Sequence, residues 1–166
     1  MEFHMSSSTK ILLVNSDRDL SEALIYQLSL NDKYQIIESV EDNVFTQINN
    51  NSFNIVIINS QPSKLNGHNL TKKLRIGGFK NPIIMLITQS DAPNVDNKLT
   101  IEANEYIIKP FKYPALLKSI ELHKLKYQYQ KRKLKLAIKY VPIKRLFQSN
   151  EPNLNILLLK TYLQYL

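Results

Sequence analysis

The chain contains no cysteine. That excludes a disulfide framework and any zinc site built on thiolates, and it accords with the cytoplasm, where we expect the protein to reside. No apolar run approaches the roughly 20 residues needed to span a bilayer, and the opening residues do not resemble a secretory leader. No membrane partner is therefore expected. A P-loop and a G-x-G-x-x-G fingerprint are both missing, and no nucleophile–base pair is legible. His4, His68 and His123 are scattered, without the spacing of metal ligands. These absences argue against an enzyme, a cofactor and a metal centre.

What is present suits one domain with an appendage. The 166 residues are 43% hydrophobic, enough to bury a core. Met1-Glu2-Phe3-His4-Met5 reads as a vector remnant before a native start at Met5, and Ser6-Ser7-Ser8 as a loose lead-in. Residues 1–8 are set aside on that reading. Net charge is +8. Its excess lies in the last third, and across residues 118–145 Lys118, Lys124, Lys126, Lys131, Arg132, Lys133, Lys135, Lys139, Lys144 and Arg145 face only Glu121. Such a stretch is a solvated helix face or a surface for an anionic partner.

Strand and helix signals alternate. Lys10–Val14, Tyr34–Ile37, Asn54–Asn59, Pro82–Ile87 and Tyr106–Ile108 read as strands. The third is continuously apolar, as in a strand buried on both faces of a parallel sheet. Helical spacing follows the first strand at Leu20, Ala23, Leu24 and Leu28, with Ser16 as the expected cap. A weaker helix is expected over Val40–Asn50. A third, carrying Leu70 and Leu74, stops at Gly77-Gly78, and a fourth is expected over Asn94–Ala103. Pro114 opens a long helix to about Tyr140. Pro142 interrupts it, Ser149–Pro152 reads as a linker, and Leu154–Leu166 as an apolar terminal helix. That terminal helix is too apolar for a free tail and predicts packing against this chain, a second copy or a partner. Five strands joined by helices predict an α/β, doubly wound parallel sheet of flavodoxin-like type, in strand order 2-1-3-4-5. A C-terminal helical extension follows it. Sites in such sheets lie at the carboxyl ends of the strands, here Asn15-Ser16, Asn59-Ser60, Ile87-Thr88 and Lys109-Pro110.

Ala103-Asn104-Glu105-Tyr106, then Lys109-Pro110-Phe111, resembles the pattern G-A-x-x-Y-x-x-K-P-F of response-regulator receiver domains, with Glu102 in place of the Gly. Leu12-Leu13-Val14, Ile55–Ile58 with Gly67 beyond, and Pro82–Leu86 resemble that family's first, third and fourth strands. The resemblance covers residues 9–125 and leaves 126–166 as a basic helical extension. It implies a site in which two acids after the first strand hold Mg²⁺ and an Asp ending the third accepts a phosphoryl group. A Ser or Thr after the fourth strand and the Lys of K-P-F contact that group. In this chain the acid pair falls on Asn15 and Ser16, the acceptor on Asn59, and the hydroxyl on Ile87 with Thr88 one residue late. Lys109 alone matches. Asp17 is the nearest acid and is expected to face outward from the helix start.

The resemblance then implies a pseudo-receiver that is not phosphorylated and binds no cofactor. Lys109 has two readings, an anchor for Asn59 or a residual strand-end lysine. Tyr106 sits where the family keeps its switch aromatic. With Pro110 and Phe111 it marks the interaction face of the fourth helix, fifth strand and fifth helix. On the long helix, Leu116, Ile120, His123, Tyr127, Gln130, Leu134 and Ala137 follow a 4-3 repeat, a possible but poor coiled-coil seam. His123 is expected to be partly exposed. Lys131, Arg132, Lys133 and Lys135, with tyrosines interleaved, form a candidate anion-binding group. The expected function is a phosphorylation-independent signalling protein that binds protein partners and self-associates. The alternative is a small regulator whose basic helix binds nucleic acid.

Overall fold

The computed structural model describes residues 8–61, 64–91 and 103–140, with side chains described as far as residue 135. The chain divides into two compact units, Met1–Leu125 and Lys126–Leu166.

In the first unit, runs of Ile, Leu and Val form five strands: β1 (Thr9–Val14), β2 (Tyr34–Ser39), β3 (Ile55–Asn59), β4 (Ile83–Ile87) and β5 (Glu105–Ile108). All pairings are parallel, and the order is β2-β1-β3-β4-β5, as expected from the sequence. Every residue of β3 and β4 is buried. Their continuous apolar runs reflect helices covering both faces of a parallel sheet.

Successive side chains alternate across the strands. Leu12, Val14, Val56, Ile58, Ile83 and Met85 therefore form one core with Val44, Leu70 and Leu74. Those three come from α2 (Val44–Asn50) and α3 (Gly67–Ile76). Ile11, Leu13, Ile55, Ile57, Ile84 and Leu86 form the other core with Leu24, Leu28, Leu116 and Ile120. These belong to α1 (Arg18–Ser29) and α4 (Tyr113–Tyr140).

The helix starts differ from the sequence reading. Asp17, not Ser16, is the N-cap of α1 and accepts from Leu20 N. The first turn opens at Arg18, so Ser16 lies one residue too early to reach a free amide. A short 3₁₀ turn, Glu41–Asn43, takes up the first residues of the expected second helix. Asn66 caps α3, its Oδ1 accepting from Asn69 N three residues on. Gly77 and Gly78 end that helix as expected, Gly78 at φ +87° where a side chain would be strained.

The first turns of α4 are tied to the sheet. Tyr34 Oη donates to Glu121 at 2.5 Å, and burial, reinforced by that bond, raises the phenol well above its ordinary pKa. Glu105 Oε2 accepts from Ser119 Oγ at 2.5 Å and meets His123 Nε2 at 2.7 Å. His123 is therefore buried, not a partly exposed side chain. Leu116 and Ile120 are fully buried against the sheet. The first half of the 4-3 repeat is thus the helix's core-facing stripe and cannot serve as a free seam.

In the second unit the helix continues, with Lys131, Arg132, Lys133 and Lys135 all exposed. Lys131 Nζ lies 5.2 Å from the centroid of the Tyr127 ring, a cation–π contact one turn apart. The helix expected before Ala103, the interruption at Pro142, the linker and the terminal apolar helix lie outside the described residues. Among the described residues no helix is long and apolar enough to cross a membrane.

Candidate functional site

The strand order reverses between β1 and β3, which places a crevice at their carboxyl ends. Asn15 follows β1 and Asn59 ends β3, so the two amides flank that reversal. Backbone bonds continue past the strand ends and hold the residues there. Asn15 N donates to Ser39 O at 3.1 Å, Ser60 N to Leu86 O at 2.9 Å and Lys109 N to Ile87 O at 2.8 Å.

Asn59 is completely buried and Asn15 nearly so. Lys109 Nζ donates to Asn59 Oδ1 at 2.7 Å and to Ser60 O at 3.0 Å. An ammonium has only protons to offer, so the amide oxygen of Asn59 must face it. That leaves Asn59 Nδ2 as the donor to Asn15 Oδ1, at 2.6 Å. Asn15 Nδ2 in turn donates to the Asp17 carbonyl. A chain of bonds thereby links the ends of β5, β3 and β1, and both faces of the Asn59 amide are used. Lys109 thus meets Asn59 directly across the strand ends.

Lys109 is half-buried, and burial pushes its pKa below the ordinary lysine value, partly opposed by the charges of Asp17 and Asp91. Among the described residues no carboxylate lies within ion-pair distance of it; the ion pairs found are Arg18–Glu22, His123–Glu105 and Lys124–Glu121.

Gln61 is the residue the sequence did not single out. Its Nε2 donates to Asp17 Oδ2 at 3.0 Å, and its Oε1 accepts from Ser16 Oγ at 3.4 Å. Asp17 therefore does not face outward alone; it caps α1 and reaches the loop after β3. Gln61 lies two residues past a strand end, as many loop residues do, and only the fold puts Asp17 beside it.

The remaining residues are placed less centrally. Ile87 is buried in the core at the end of β4. Thr88 Oγ1 donates to Asp91 Oδ2 at 2.7 Å and lies 2.8 Å from Ser90 Oγ, so its hydroxyl serves its own turn rather than Asn59. Gly67 packs so closely that a Cβ would stand 2.8 Å from Ser60 Cβ. Tyr106 packs against the first core, with its ring centroid 5.9 Å from that of His68. Phe111 packs against the second core, and Pro110, after a cis peptide, is exposed.

Comparison with known proteins bears on the fold and the family. The regulatory protein VanRB of Enterococcus faecalis is 30% identical over 115 residues, covering 69% of this chain and 51% of that protein. The chain thus spans about half the length of the curated relatives it matches. Among solved structures, a response regulator receiver domain protein from Clostridium thermocellum superposes with a TM-score of 0.65 at 20% identity. That alignment covers 74% of this chain and 98% of that one. A protein described as adenylate cyclase from Rhodopirellula baltica gives 0.69 at 19% identity, covering 81% and 99%. At such identities the likeness concerns the fold alone. Residues 11–121 match the response regulator receiver domain, and the chain belongs to that family.

Proposed function

We propose that this chain is a pseudo-receiver, one that takes no phosphoryl group and signals by binding other proteins. The observation that carries the reading is the Asn59 amide, bonded to Lys109 through its oxygen and to Asn15 through its nitrogen. An acyl phosphate forms on a carboxylate nucleophile. An amide offers no anionic oxygen, and this one is already engaged on both sides.

The donor set does not suit a magnesium ion either. Such a hard cation prefers carboxylate oxygens in a near-octahedral arrangement. Asn15 Oδ1 accepts from Asn59, and Asn59 Oδ1 faces a cationic ammonium. Asp17 supplies the carboxylate bonded within this group, and its two oxygens accept from Leu20 N and Gln61 Nε2. No metal is therefore assigned a role. On this reading the protein carries out no reaction of its own in the cytoplasm, and its output follows its abundance and its partners.

The test is incubation of the full chain with acetyl phosphate and Mg²⁺, followed by intact mass. No phosphoryl adduct is expected. A stoichiometric, hydroxylamine-labile phosphoryl adduct would overturn the reading.

The basic extension, residues 126–166 in this proposal, is assigned to assembly with a second copy. Sedimentation of the full chain against one ending near Lys126 tests it: only the full chain should dimerise. The exposed Lys131, Arg132, Lys133 and Lys135 also support a second reading, nucleic-acid binding. That would require an affinity falling steeply with salt.

A further inference from the structure

The long helix α4 carries a second stripe at the spacing of a coiled-coil seam. Leu116, Ile120 and His123 are buried against the sheet. Two residues on from each of them the helix has turned by roughly 200° and faces the other way. Lys118, Leu122 and Leu125 stand there, followed by Tyr129 and Arg132, all exposed and alternately four and three residues apart. The apolar members lie largely in water: Leu122 is 43% exposed, Leu125 60% and Tyr129 69%. The sequence continues the spacing at Leu136. The buried stripe serves the sheet, and the exposed one is left for another surface.

We propose that Leu122, Leu125 and Tyr129 form the seam of a parallel, in-register coiled coil with a second copy of this chain. The charges beside the stripe select that occupant and that direction. In a parallel pair, the residue flanking one turn of the seam lies against the residue flanking the next turn on the partner. Glu121 then faces Lys126 of the partner subunit, and symmetry repeats the contact with the roles exchanged. Glu121 is already held in place: its Oε1 accepts from Tyr34 Oη at 2.5 Å, and its Oε2 lies 3.9 Å from Lys124 Nζ. Lys126 is exposed. The next flanking pair sets Gln128 against a lysine, Lys133 of the partner subunit, without repulsion. An antiparallel pair would instead bring the flanking lysines 126 and 133 together. The seam presupposes that two copies assemble, as proposed for the extension, and gives that assembly a register and a direction.

The test uses the full chain, which contains no cysteine. Leu125→Cys places one thiol in the seam, and Lys131→Cys places one on the outer side of the helix. Under mild oxidation, in-register pairing should join Leu125→Cys chains into a covalent dimer, while Lys131→Cys stays largely unlinked because its thiols point apart. Sedimentation equilibrium then gives the strength of pairing. Leu125→Glu should weaken it by roughly 100-fold, since each copy trades an apolar contact for a charge. Lys126→Glu should weaken it several-fold by setting a like charge against Glu121, and Lys133→Glu should not weaken it. All four positions are exposed, and an unchanged urea midpoint of the dilute chain shows that the fold is kept. If Leu125→Glu does not fold, the two cysteine variants decide. The seam is refuted if the unaltered chain dimerises and a folded Leu125→Glu does so equally well, or if Leu125→Cys cross-links no faster than Lys131→Cys. The assembly reading would then survive on another surface. A full chain that stays monomeric overturns both, and leaves the stripe to the chain's own apolar residues 154–166 or to a different protein.

Discussion

Asparagines hold both ends of the sheet, yet they do different work at each. At the amino ends their side chains serve the backbone. Asn54 Oδ1 accepts from Lys10 N at 2.7 Å as β1 begins. Asn104 Oδ1 accepts from Ile83 N and from Arg75 Nη2, both at 2.8 Å, and Asn104 N returns a bond to Ile83 O. The same Arg75 binds the carbonyls of Phe79 and Asn81. These bonds satisfy groups that a strand leaves open where it starts. At the carboxyl ends, Asn15, Asn59 and Lys109 bond to one another as well as to the carbonyls of Asp17 and Ser60. A backbone clamp needs only a donor or acceptor of the right reach. A network of side chains sets charge and reactivity, and so can be tuned by a single substitution.

That contrast can be broken from either end. The largest effect is expected from Asn59→Leu, which keeps the branching and heavy-atom count but leaves Asn15 Oδ1 bare and Lys109 with Ser60 O alone. The loss should be about 3 kcal/mol by urea unfolding; a loss near zero would mean that the buried chain of bonds contributes nothing. At the opposite end, Asn104→Ala should cost roughly 1–2 kcal/mol, since Ile83 N loses its partner in a spot that water partly reaches. It should leave amide exchange at residues 15–17 and 59–61 unchanged, and faster exchange there would erase the distinction between the ends.

A pH experiment sharpens the comparison further. Burial lowers the Lys109 pKa, so the folded chain binds fewer protons there than the unfolded chain, between the lowered value and about 10.4. This contribution makes stability rise with pH across that window. Lys109→Met deletes it. The urea midpoint of the wild type should therefore gain on that of Lys109→Met as pH climbs from neutral into the window, and an opposite trend would refute the assignment. The smallest effect belongs to Gln61→Ala, about 0.5 kcal/mol, because its bonds are partly exposed. Its signature is faster amide exchange at residues 15–17 and 59–61, and unchanged exchange there would show that Gln61 does not hold the two loops together.

The fold was legible because its signals are local and repeated. A buried parallel strand must be apolar on both faces, and Ile55–Ile58 says so in four residues. The K-P-F turn and the glycine beyond β3 add spacing that few other folds share. The site was legible only as a set of positions. Asn15, Ser16, Asn59 and Lys109 were placed at strand ends from the pattern alone. Their partners were not, since Asn59 bonds to residues 44 and 50 positions away. Gln61 was missed because a polar residue in a polar loop carries no local signal. The seam on the long helix misled because a 3.5-residue repeat marks a buried stripe equally well whether it faces a second helix or its own sheet.

By itself the sequence determined which segments are strands, that the sheet is parallel and doubly wound, and which side chains end its strands. Those follow from apolar runs, breakers and periodicity, which act within a few residues. Only the tertiary structure decided that the Asn59 amide faces Lys109 with its oxygen and Asn15 with its nitrogen, that Asp17 caps a helix while holding Gln61, and that His123 is buried on Glu105. Hydrogen bonds between distant side chains depend on angstrom-scale placement, and that placement exists only once the whole sheet has packed.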